Sequence, residues 1–316
     1  MLHCVVGRAF VALALSVGVA RADSATIVTT SVGTGDHFYG LAIAKAADKF
    51  ASLDLRPIPY KSQGQGAVVV NKGGAEFGLH NAIILREAYL GLEFYKGRRL
   101  ENLRAVARLV PFQITIGVRG DSGIRTVEDL RGKRFPAGFD ATSFGERLFG
   151  AMLRTGGLSY DDVISVRVSD WKARGKAFVA GKIDVNALIV GSPTATRYAQ
   201  LVPGFRAVSL TRGPGVEERL NKVLPGSRLA VVEPAEGRAG IFESTVVLEY
   251  DKWLYAHKDT PDSKVTAVLK SLLQGKETLA SVSKEFLKFD PAKMYVDIGM
   301  PFHPAAEAFY ADHKMK

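Results

Sequence analysis

From Thr26 onward, short β-branched or aliphatic runs alternate with helix-length segments. The runs 26–32, 55–60 and 77–79 read as strands, with the segments 38–50 and 67–71 between them, which is the pattern of βα units feeding a parallel sheet. A long extended stretch, 103–118, precedes a second series: strand 134–138, helix 144–155, strand 163–168, helix 171–180, strand 183–190 and helix 194–201. A weak echo between residues 73–77 and 181–185, each a glycine, an acid and then a hydrophobic strand, supports two related halves. After Pro225 the pattern is helix-rich (263–273, 277–287 and 303–313) and offers too few strands for a third sheet. The fold class read from this is α/β in two lobes: 24–115, then 116–225, with 226–316 returning to the first lobe.

Two glycine- or hydroxyl-bearing loops occupy matching places in the two series. Gly33-Thr34-Gly35 closes the first strand and opens the first long helix, so backbone N–H groups there face the expected crevice, as a small-anion cradle or a plain turn. It lacks the G-x-G-x-x-G spacing and any Walker lysine, which argues against nucleotide. Ala141-Thr142-Ser143 stands before the helix of the second lobe, where Thr142 or Ser143 is placed to cap it and to meet a ligand carboxylate. Gln63 and Gln65 offer two amides in a glycine-flanked loop; His80 and Asn81 end a strand at the same edge; Ser192 sits in the matching loop of the second lobe. Trp171 reads equally as core, lid or ligand-stacking surface. The histidines show no metal-ligand spacing, and neither metal nor cofactor is expected.

The stretch A-x-S-x-G at 141–145 is one residue from a nucleophile elbow. A secreted serine hydrolase using Ser143, with Asp184 and His257 or His303, is therefore a distant alternative. It lacks an oxyanion loop, and Pro136 is expected to break the strand an elbow needs.

Composition narrows the compartment. Arg8, the apolar run 9–20 and the small residues Ala20 and Ala22 form a secretory signal peptide over residues 1–22, which places the mature protein in the periplasm. That run is too short to span a membrane. The single cysteine, Cys4, falls inside this segment, so stability must come from packing rather than from disulfides. Loss of Arg8 and Arg21 takes Lys+Arg from 42 to 40 against 32 acids, a net charge of +8. The charges are scattered, and an exported chain rarely meets nucleic acid, so an acidic small molecule suits this balance better.

These residues together resemble the TAXI solute-binding proteins of tripartite ATP-independent periplasmic (TRAP) transporters, across nearly the whole mature chain. The likeness rests on the strand and Gly-Thr-Gly start at 33–39, Asp121-Ser122-Gly123-Ile124, Asp129-Leu130-Arg131-Gly132-Lys133-Arg134, the loop at 141–143, Gly156-Gly157-Leu158 with Asp161-Asp162, Gly181-Lys182-Ile183-Asp184, and His303-Pro304-Ala305-Ala306. The resemblance implies a type II periplasmic-binding-protein fold, two α/β lobes joined by a hinge around one ligand cleft. It implies a non-catalytic, monomeric receptor that binds an organic acid or amino acid and delivers it to a TRAP permease. The loops that hold family ligands match Thr34, Gly35, Asp36, His37, Phe38 and Tyr39, then Gln63 to Gln65, then Ala141, Thr142 and Ser143. Asp36-His37 and Ala-Thr-Ser depart from the family's usual Gly-hydroxyl and Gly-Ser-Gly. A receptor for an ATP-driven (ABC) importer of the sulfonate, nitrate or thiamine-precursor type shares the fold and is the nearer alternative.

Overall fold

The computed structural model describes residues 23–60, 63–139 and 143–316. The expected signal peptide at 1–22 and the candidates Ala141 and Thr142 lie outside the described residues, as do the side chains of Gln63 and Ser143.

The first βα units form where the alternation places them. β1 (Asp23–Thr30) pairs in parallel with β2 (Leu53–Tyr60) across α1 (Gly35–Ala51), and with β3 (Phe77–Asn81) across α2 (Gln63–Asn71). All five residues of β3 are buried, as expected of a strand covered on both faces. α3 (Ala82–Leu90) follows, capped by Asn81. Small residues let helices approach the sheet: a Cβ on Gly40 would come within 2.5 Å of the Thr29 methyl, and one on Gly66 within 2.7 Å of Val28.

The 16-residue strand β4 (Leu103–Val118) leads into the second series. β5 (Arg134–Gly138) and β6 (Ile164–Val168) pair in parallel around α4 (Ser143–Thr155). Contrary to the sequence expectation, β5 runs unbroken through Pro136, which stands opposite Val166. α5 (Trp171–Val179), β7 (Val185–Ile189), α6 (Pro193–Leu201), β8 (Arg206–Val208), α7 (Val216–Val223) and β9 (Arg228–Val232) complete the series.

β10 (Thr245–His257) is a long strand within the C-terminal third, which the sequence reads as helix-rich with too few strands for a third sheet; it joins the eight-stranded sheet rather than building another. It is the strand to which β3, β4 and β9 all pair, and every residue from Val247 to Ala256 is buried. Glu249, Asp251 and Lys252 interrupt its hydrophobic pattern, which is why the pattern alone does not read as a strand. After it come α8 (Asp262–Gln274), α9 (Lys276–Val282) and α10 (Pro304–Asp312). The single helix expected at 277–287 is divided at Ser283, whose extended backbone (φ −134°, ψ 113°) separates α9 from a 3₁₀ turn, Lys284–Lys288.

Strand pairing divides the sheet into two lobes. In the first, β2-β1-β3 is continued by residues 252–256 of β10 and by the start of β4; in the second, residues 114–118 of β4 pair with β7, and residues 245–249 of β10 pair with β9. The antiparallel pair β4–β10 runs through both. The Asp184 amide donates to the Arg134 carbonyl at 2.9 Å, setting β5 and β6 beside β7.

Close packing fixes the centre of the first lobe. A Cβ on Gly78 would lie 2.3 Å from Cζ of the fully buried Tyr255. Gly78→Ala should therefore cost about 1–3 kcal/mol through overpacking. Urea denaturation reads this loss, and an unchanged midpoint would show that the Tyr255 ring is free to shift.

Candidate functional site

The strand register shows where the lobes face each other. Asn81, the last residue of β3, stands opposite Lys252 of β10. Ile189, the last residue of β7, stands opposite Ile114 of β4. The carboxyl ends of the parallel strands in both lobes thus point at the stretch where β4 and β10 cross, near residues 111–113 and 250–252. In open α/β sheets, ligands bind outside these ends, where helices begin.

Most polar candidates at this edge serve as helix caps. The Thr34 hydroxyl accepts from the His37 amide at 3.4 Å and donates to the Ser31 carbonyl at 2.7 Å. Asn81 Oδ1 accepts from the Ile84 amide at 2.8 Å, and the Ser192 hydroxyl accepts from the Ala195 amide at 3.1 Å. Asp170 caps α5 in the same way, through the Ala173 amide at 2.7 Å. His80 is buried and its Nδ1 accepts from the Asn81 amide. Each bond from a backbone amide to a side chain satisfies a donor that a helix start otherwise leaves open.

The remaining candidates separate into rim and core. Phe38 is 42% exposed beside the half-buried His37, whose Nδ1 lies 3.3 Å from the Thr29 hydroxyl. Gln65 is exposed on the first turn of α2, and Gly35 opens α1. Tyr39, by contrast, is buried with its ring edge-on to Phe286, so it packs in the core beneath α1. Trp171 packs on Phe139 and Phe149, which makes it chiefly a wall of the second lobe. Phe139 itself holds φ 37°, a left-handed conformation a bulky residue rarely adopts, at the carboxyl end of β5.

Asp36 is the residue the sequence left most open, and it is buried. Its Oδ1 accepts from Lys252 Nζ at 2.6 Å, and both side chains are shielded from solvent. Oδ2 has no hydrogen-bond partner among the described residues. The Lys252 ammonium lies 5.0 Å from the centre of the Phe112 ring; Phe112 stacks on Tyr250, and Phe144 of α4 meets Tyr250 edge-on. A continuous chain of contacts therefore joins the first turn of α1 to the first turn of α4 through the two crossing strands. The charge of Asp36 also reaches Glu285, whose carboxyl is pushed up to about 7 by burial, with Asp36 adding to the effect and Lys288 opposing it. Neither Lys252 nor Phe112 was visible as a site residue in the sequence, because each lies inside a long strand with no flanking motif.

A second ion pair links the lobes along one rim. Arg147 of α4 donates to Glu87 of α3 at 2.6 Å, and the same guanidinium donates to the Val223 carbonyl at 3.2 Å. Burial pushes the Glu87 carboxyl above its ordinary range, and Arg147 offsets this only in part. A recess of about 90 Å³ lies beside the pair, bounded by Leu92, Glu93 and Lys222.

The hydrolase constellation is not assembled. Asp184 is bound to Arg134 at the amino end of β5, whereas Ser143 opens α4 beyond its carboxyl end. His257 ends β10 opposite Leu103, and His303 is a buried cap of α10. Among the described residues there is no cluster of three or more His, Cys, Asp or Glu placed to hold a metal, and no helix long and apolar enough to cross a membrane.

A family model described as the NMT1-like family matches residues 27–313. The chain belongs to the NMT1-like family. Solved structures similar to this NMT1-like protein include periplasmic and other solute-binding proteins. The alkanesulfonate-binding protein SsuA of Xanthomonas axonopodis pv. citri, bound to MOPS, superimposes with a TM-score of 0.54 at 19% identity, over 94% of this chain and 95% of that one. A TctC solute-binding protein from Polaromonas, without ligand, gives 0.55 at 16% identity over 93% and 94%. The periplasmic aliphatic sulphonate-binding protein SsuA of Escherichia coli gives 0.52 at 17% identity over 92% and 83%. The NMT1-like chain thus has the two-lobed α/β fold of periplasmic binding proteins.

Removing one partner of a buried ion pair strands the other. Lys252→Met should cost about 3–5 kcal/mol, and adding Asp36→Asn to the same chain should recover most of it. Chemical denaturation of both single variants and the double variant checks this; additive losses would mean that the two groups are not coupled.

Proposed function

We propose that this protein is an extracytoplasmic solute receptor that holds one small polar molecule between its lobes and passes it to a membrane importer. The observation that carries the reading is the convergence of strand carboxyl ends and helix amino ends from both lobes on one line, crossed by β4 and β10. Binding there requires no bond-making group. The periplasmic neighbours support the periplasm as its place of work.

The lobes would hinge where the strands cross, near 111–113 and 250–252, so that chain return to the first lobe falls within β10. On the first lobe, ligand contacts would come from the start of α1 (Thr34, Gly35, Asp36, His37, Phe38), from Gln63 and Gln65, and from His80 and Asn81, with Lys252 added. On the second they would come from Ala141 to Ser143 and Ser192. Phe112 and Tyr250 would form the floor. A solute that touches both lobes binds the closed arrangement better than the open one, and that difference drives closure.

The importer is proposed to be of the ATP-driven type, a reading supported by the likeness to two sulfonate-binding proteins. The motifs at 33–39, 121–134 and 303–306 support a TRAP permease as the second reading.

Refolded protein, freed of carried-over ligand, should show a saturable rise in melting temperature with one member of a panel of amino acids, dicarboxylates, keto acids and sulfonates. A ligand at about 100 times its Kd adds roughly 2.7 kcal/mol. Uptake of that ligand by vesicles bearing the partner permease should then require internal ATP. Uptake driven by an ion gradient alone would select the TRAP reading, and a panel with no response would remove the receptor reading.

A further inference from the structure

Arg174, on the second turn of α5, is 4% exposed. Its Nε and Nη1 have no hydrogen-bond partner among the described residues, and no described carboxylate forms an ion pair with it. Around it stand Trp171, whose ring centre is 4.8 Å from the guanidinium carbon, Phe149 at 5.8 Å, and the Tyr198 phenol. Two aromatic faces and one hydroxyl stabilise a cation only in part, and arginine does not escape burial by losing its proton. Burial pulls its pKa down, with Tyr198 opposing. A buried charge without a counter-charge is expensive, and native structures resolve it by pairing.

Its position indicates what would pair with it. Side chains on a helix lean toward its amino end, and the contact with Trp171, the first residue of α5, shows Arg174 doing so. That end follows β6, whose last residue, Val168, is level with Gly138 at the end of β5. Trp171 in turn touches Phe139, the residue after β5. The Arg174 guanidinium therefore stands near the strand ends of the second lobe that face the crossing.

We propose that Arg174 is the anion-reading group of the second lobe and takes the carboxylate or sulfonate of the solute through its Nε and Nη1. This deepens the receptor reading above and rests on it. The planar fork of the guanidinium suits two oxygens of either acid. On the first lobe, the neutral Asp36–Lys252 pair leaves one carboxylate oxygen free for a donor, so an acid that also carries an amine or amide N–H fits both ends.

The test compares ligand-stripped wild type, Arg174→Met and Arg174→Lys by thermal unfolding. The probes are L-glutamate, 2-oxoglutarate, succinate, taurine and methanesulfonate, with glucose and spermidine as uncharged and cationic controls. At least one acid should stabilise wild type, and its Kd should weaken roughly 30-fold or more in Arg174→Met. The acid that works, carboxylate or sulfonate, identifies the source. Stripped Arg174→Met should also melt above stripped wild type, because a buried charge with no carboxylate partner among the described residues has gone; a merely structural arginine would give the opposite shift. Arg174→Lys should bind more weakly than wild type and more tightly than Arg174→Met. A lower melting temperature or failure to fold in Arg174→Met, retained acid binding there, or a wild-type response to glucose or spermidine alone would overturn the proposal while leaving a receptor. A wild type that answers no probe would fail the receptor reading itself.

Discussion

The structure depends on two antiparallel strands that belong to both lobes at once. β4 and β10 lie side by side through the middle of the larger sheet; β3, β7, β8 and β9 pair directly with one of them, β1 and β2 follow β3, and β5 and β6 form a separate two-stranded sheet. Backbone hydrogen bonds fix their register, so the lobes cannot slide past each other without breaking the ladder. The pairing is irregular between Asp251 and Trp253, which is where the proposed rotation of the lobes would fall.

Charge is concentrated at that crossing on two faces. One carries Lys252, Asp36, Phe112 and Tyr250. The other carries Glu249 and Asp251, held by Arg228, Arg108 and, through Gln113, by Lys288. Burial raises the Asp251 carboxyl, but Arg228 and Arg108 outweigh it and keep the pKa below the ordinary range. Buried pairs of this kind add little net stability, yet they penalise any arrangement that separates them. The Arg147–Glu87 pair adds a further ion pair, between α4 and α3.

The parallel βα units were legible in the sequence because their runs obey a simple period, and β4 and β5 fall where the pattern places them. β10 was not, because the charges that build the crossing also spoil its period. At the site, the hydroxyl and amide residues at strand ends were visible, but Thr34, Asn81 and Ser192 are used by their own helices. What stands out physically are Lys252, Phe112 and Arg174, whose distinction is a missing or buried partner. That property exists only in three dimensions.

The central claim is that solute binding rotates two rigid lobes about the crossing of β4 and β10. The described chain has no cysteine, so spin labels can be placed freely. Labels at the exposed residues Arg98 in the first lobe and Lys222 in the second report the distance between lobes, and a second pair within the first lobe, at Arg98 and Lys72, serves as reference. Pulsed electron-spin distance measurements should show the first distribution shorten and narrow when a stabilising acid is added, while the second stays fixed. An unchanged first distribution under saturating acid, or an equal change in the second, would contradict the account.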